Sequence, residues 1–157
     1  MPNPRRPCWW RGTRLRIQYP AAIYHVINRG NYRRDVFETT GAASSFVATL
    51  GEASTRFEWE FHAFSILRNH FHLALTTPIP NLADGRHRLQ TTLAVRSNRF
   101  RAERGHPFQG RYQSPPVENA AALLRGVDPI HLNPVRAGIV PAEQVAQFRW
   151  SSLARFA

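Results

Sequence analysis

Two runs, "FEWEFHAFSIL" (57–67) and "HFHLALT" (70–76), are separated only by Arg68 and Asn69, and this pairing constrains the fold more than any other feature of the chain. Both have the aromatic and β-branched content of strands, and so short a connection makes them antiparallel neighbours. Successive strand residues point to opposite faces, so Phe71, Leu73 and Leu75 share one face while His70 and His72 share the other. Two strand steps place the histidine Cα atoms about 6.6 Å apart. Two imidazoles at that separation can converge on one divalent ion, or stand inert on a half-solvated sheet. The spacing alone leaves both readings open.

The remaining segments supply partners for this hairpin. "AIYHVINRG" (Ala21 to Gly30) reads as a strand ending at a glycine turn, and "NYRRDVFE" as a polar loop. Phe46, Val47 and Leu50 recur at helical spacing within a first helix over 42–56. Asn81 is placed to cap a second helix running to Arg104, with Leu82, Leu89, Leu93 and Phe100 as its apolar stripe and six arginines over the rest. "ENAAALLRGV" begins a third helix, and "PAEQVAQFRWSSL" ends the chain with a short helix and a packed Trp150. The order strand, helix, strand, strand, helix, short strand predicts an α+β, ferredoxin-like sandwich: an antiparallel sheet with helices packed on one face. Residues 1–14, rich in proline and arginine, read as a basic arm, and 15–157 as a single domain.

Composition adds a partner class. The formal net charge is +11, and all 21 basic residues are arginine. Such an excess points to a polyanion, because cation-to-phosphate contacts release counterions, and arginine suits bidentate phosphate contacts. The opening residues lack a secretory signal's apolar core, no run is long enough to span a membrane, and Cys8 is the only cysteine. The expectation is a cytoplasmic protein with no membrane partner and no disulfide-linked one.

Five motifs then fall in one order: "YHVINRGN" (24–31), "LRNHFHLAL" (67–75), "GHPFQGRYQS" (105–114), "IHLNPVRAGIV" (130–140) and "FRWSSL" (148–153). Together, from Leu15 to Leu153, they resemble the REP-associated tyrosine transposases, IS200-like single-tyrosine enzymes of the HUH endonuclease superfamily. The resemblance implies a ferredoxin-like sheet that binds single-stranded DNA folded into short palindromic hairpins. It implies nicking and rejoining during DNA transposition through a tyrosine that ends as a 5′-phosphotyrosine. It also implies one Mg²⁺ or Mn²⁺ as cofactor, carried over here onto His70, His72 and Asn133. A divalent ion there acts as a Lewis acid on the scissile phosphate.

The tyrosine is expected four residues before Asn133, on the same side of the helix, and Pro129 stands there instead. Proline has no hydroxyl, so no competent nucleophile is assigned. It also costs roughly 3 kcal/mol inside a helix, which predicts a break near Gly126 and a restart with Asp128 as N-cap. Arg29, Asn31, Arg33 and Arg34 follow the first strand as candidate phosphate or base contacts, with a plain solvated loop as the alternative. Arg99 on the second helix, and Arg111 beside Tyr112, complete the DNA-binding candidates; Tyr112 is the best placed substitute tyrosine but reads better as a core or DNA-stacking residue. His131 reads as structural or polar surface, and His62 and His106 as lacking obvious partners. Two functional classes stand: an impaired nicking-rejoining transposase, or a non-catalytic hairpin-binding module or decayed copy.

Overall fold

The structure, a computed structural model, describes residues 17–110 and 113–155. The basic arm over 1–14, and both Arg111 and Tyr112, therefore lie outside the described residues. Strands β1 (Ala22–Arg29), β2 (Glu60–Ile66), β3 (His70–Thr77) and β4 (Pro116–Val117) form one antiparallel sheet in the order β2-β3-β1-β4. Helices α1 (Thr40–Phe57), α2 (Leu82–Arg101) and α3 (Ala120–Arg136) complete it. This is the α+β antiparallel architecture expected from the element order.

Tyr24 and Val26 of β1, with Phe71, Leu73 and Leu75 of β3, pack under α1 through Phe46 and Leu50 and under α2 through Leu82, Leu89 and Leu93. Ring contacts join Phe37, Phe46, Phe71 and Phe108 with centroids 4.6–6.2 Å apart. The structure adds that α3 covers the opposite face, where Ile130 sits on Ala63 and Ala74, supported by Leu123 and Val127. A bulge between Phe61 and Ala63 puts one extra residue, His62, into β2. There His62 Nε2 lies 2.7 Å from Thr76 Oγ1, so this histidine does have a partner.

Three local expectations are corrected. Asn81 stands at the α2 N-cap position, but its side chain caps nothing. Its carbonyl accepts from Trp59 Nε1 at 2.8 Å and its amide donates to the Phe57 carbonyl at 2.9 Å. The buried indole outcompetes the helix end for the amide, and it fits only because Gly85 of α2 has no Cβ to strike the ring. Phe100 is 65% exposed because the buried stripe of α2 ends at Leu93, two turns earlier.

The third correction is the largest: α3 does not break near Gly126, but runs unbroken from Ala120 to Arg136 through Pro129 and Pro134. Asn119 Oδ1 caps it by accepting from Ala122 N at 2.9 Å. Leu123, Val127, Ile130 and Pro134 then give an apolar seam, with Ile130 and Pro134 buried, and this packing outweighs the proline penalty. Pro129 leaves the Arg125 carbonyl without its helical donor, a tolerable loss because Arg125 is exposed to water. Past the C-cap Ala137 the chain turns at Gly138, whose φ of +66° favours glycine, with Ile139 N donating to the Pro134 carbonyl at 2.9 Å.

Candidate metal and nucleic-acid site

Strand alternation delivers the pair of histidines to the α3 face, with ring centroids 5.2 Å apart. Register then recruits β1. Ile27 pairs with His72 and Arg29 with His70, so His25 lies diagonally from His72 on the same face. Its Nε2 is 3.2 Å from His72 Nδ1. His70 Nδ1 is 2.6 Å from Asn69 Oδ1. The Asn69 amide nitrogen donates to the Arg33 carbonyl at 3.2 Å, which fixes the amide's orientation and leaves its oxygen toward His70.

Burial keeps all three imidazoles neutral. His72 is pushed down to about 3, first by burial and then by His70, His25 and Arg29. His70 is lowered by burial and by Arg29, and His25 by burial. The buried Ser65 hydroxyl, on β2 opposite His72, has no hydrogen-bond partner among the described residues. The imidazoles of this face are therefore uncharged, with ring-nitrogen lone pairs that suit a cation.

Asn133 is half-buried on α3, one turn beyond Ile130 and on the same side of the helix. Ile130 covers Ala74, while Ala137 and Ile139 line a cleft with His70. Asn133 lies between Ile130 and Ala137 in the chain. Among the described residues no group of three or more His, Cys, Asp or Glu side chains converges as a metal cluster. The side chains this face does bring together are the two strand imidazoles of His70 and His72.

That open cleft has a volume of about 540 Å³, and Arg29, Arg33 and Arg68 line it beside His70 and Asn69. Among the described residues Asp35 is its one acidic lining residue and lies 2.8 Å from Arg68. The loop from Gly30 to Asp35 is tied down. Gly30 N donates to the Asn69 carbonyl at 2.6 Å, Asn31 N to the Pro107 carbonyl at 2.8 Å, and the Arg101 guanidinium to the Asp35 carbonyl. A Cβ at Gly30 would strike the Arg34 carbonyl oxygen. Tyr32 is 94% exposed on this loop, and it and Arg33 both have positive φ, at 51° and 58°.

The DNA-binding candidates are thus separated by the fold. Arg29 and Arg33 reach the cleft, and Asn31 sits half-buried between them. Arg34 is committed to an ion pair with Glu103, and Arg99 is exposed on the last turn of α2. His131 is buried with Nε2 2.8 Å from Ser152 Oγ, which decides for a structural place over a polar surface one. His25 is the residue the sequence reading missed. Alternation within "YHVINR" sets it opposite Tyr24 and Val26, but only the register of β1 against β3 brings it to His72.

With this geometry in hand, the family described as "Transposase IS200 like" matches residues 18–124, which include β1 to β4, both strand histidines and the start of α3 but stop short of Pro129 and Asn133. Two solved structures share the fold. A REP-associated tyrosine transposase bound to a REP hairpin matches with a TM-score of 0.72 at 19% identity, covering 91% of this chain and 82% of that one. A candidate transposase of Deinococcus radiodurans R1 matches with a TM-score of 0.51 at 21% identity, covering 73% and 92%. Comparison with curated proteins gives no match.

Proposed function

The chain belongs to the IS200-like transposase family, and from that premise we propose that it binds single-stranded DNA folded into short hairpins, holds one Mg²⁺ or Mn²⁺, and is severely impaired in cutting. The observation that carries this reading is the side-by-side placement of two neutral imidazoles and an arginine-lined cleft at one end of the sheet. The structural neighbour bound to a REP hairpin supports the choice of partner. The work would be done in the cytoplasm; no helix among the described residues is long and apolar enough to cross a membrane.

The donor set fits the cation. His70, His72 and Asn133 would hold it, all three uncharged, so its positive charge would stay available to polarise a phosphate oxygen. Arg29 and Arg33 would receive the flanking phosphates in the cleft. Arg34, tied to Glu103, would hold the loop rather than DNA, and Asn31, Arg99, Arg111 and Tyr112 would extend the contact along the strand. The chain supplies no phenol at the helix position where the family's nucleophile is expected: Pro129 can neither attack phosphorus nor give up a proton. Helix α3 stays continuous there, so the nucleophile is missing while its scaffold remains.

The test is a labelled single-stranded hairpin incubated with the protein and Mn²⁺. A retarded complex on a native gel is expected, weakening with salt in proportion to the phosphates engaged. No detergent-resistant adduct is expected from the unmodified protein, and Pro129→Tyr should produce one. An adduct from the unmodified chain overturns the impairment. Absence of any retarded complex favours a decayed copy.

A further inference from the structure

The family assignment leaves His25 without a role, and its contact with His72 suggests one. A neutral imidazole carries one proton, so a ring that offers one nitrogen to a cation must keep the proton on the other. For His70 the choice is fixed. Asn69 presents its carbonyl oxygen to Nδ1 at 2.6 Å, because its amide nitrogen is committed to the Arg33 carbonyl. His70 therefore holds its proton on Nδ1 and leaves Nε2 bare. For His72 the corresponding Nδ1 contact is His25 Nε2 at 3.2 Å, and two imidazole nitrogens can share that bond in either direction.

We infer that His25 is a positioning residue: its bare Nε2 accepts the Nδ1 proton of His72 and so holds His72 in the tautomer that frees Nε2, matching His70. The opposite direction, with His25 donating, would leave a proton on His72 Nε2 and block it as a ligand. The inference rests on the proposed cation site for its purpose, but not for its test. Acceptors that fix the tautomer of a metal-bound histidine typically change metal affinity 10- to 100-fold when removed. His25 can take this role because it is diagonal to His72 across the central β1–β3 pair, with the two rings 5.4 Å apart and inclined at 33°.

The experiment has two readouts. Imidazole ¹⁵N correlation spectra of the metal-free protein report which nitrogen of His72 carries the proton, and calorimetry reports Mn²⁺ affinity. Wild type should show His72 protonated on Nδ1. His25→Leu should move the proton toward Nε2 and weaken Mn²⁺ binding about 10- to 100-fold. His25→Gln, whose side-chain oxygen can stand where Nε2 lies, should restore both; thermal melting of each variant guards against misfolding. A wild-type His72 protonated on Nε2, or a His25→Leu protein with unchanged tautomer and affinity, overturns the inference. If wild type binds no Mn²⁺, the cation reading fails by itself, while the metal-free spectra still decide the role of His25.

Discussion

Phe71, Leu73 and Leu75 are each 2% exposed or less and lie among the aromatic rings beneath α1 and α2, whereas His70 and His72, interleaved with them, are half-buried beside Arg29 and α3. Both sets ride on the same eight-residue strand and the same ladder of backbone hydrogen bonds. One face excludes water and owes its stability to contact area. The other keeps uncharged nitrogen donors in a setting where burial and a nearby cation suppress protonation. A period-2 strand thus separates stability from chemistry across the thickness of one sheet, so changes to one face need not disturb the other.

The comparison can be broken most forcefully on the dry face. Phe71→Ala should cost about 3–5 kcal/mol in urea unfolding, as expected for a fully buried ring, while the folded fraction keeps its affinity for hairpin DNA. Loss of DNA binding from a still-folded Phe71→Ala protein would show the faces to be coupled. Pro129→Ala comes next. Because α3 is continuous, removing the ring should restore a helical hydrogen bond and raise stability by about 2 kcal/mol in the same assay. A neutral or destabilising result would mean that the chain bends at this point.

A smaller effect concerns pH. Unfolded histidine titrates near 6.5, while folded His72 is pushed down to about 3 and His70 and His25 are also lowered. Below 6.5 the unfolded chain therefore binds more protons than the folded one, and stability falls as pH falls toward 3. His72→Leu should make that fall shallower between pH 7 and 5. Parallel curves for the two proteins would place His72 in a more solvated setting than the structure gives it.

Much of this was legible in the sequence for a physical reason. Alternation is local, so the division of β3 into two faces, and the hairpin with β2, follow from residues 57–76. Departures arose where a distant partner decided the outcome. The local signal at Asn81 favours a cap, but Trp59, 22 positions earlier, takes its amide. The proline penalty in "VDPIHLNP" is local and favours a helix break, whereas the stabilising seam depends on Ala63 and Ala74 of the sheet. His25 carries no local signal, because nothing in a single strand says which neighbour it will meet.

The most direct test of the account is a calorimetric titration of the wild-type chain with Mn²⁺, run beside His70→Ala, His72→Ala and Asn133→Ala. The account predicts one ion per chain, with binding lost or weakened on the order of 100-fold in each variant. Wild-type protein that takes up no Mn²⁺, or variants that bind it as well as wild type, would contradict the claim that the face of β3 turned toward α3 is a cation site.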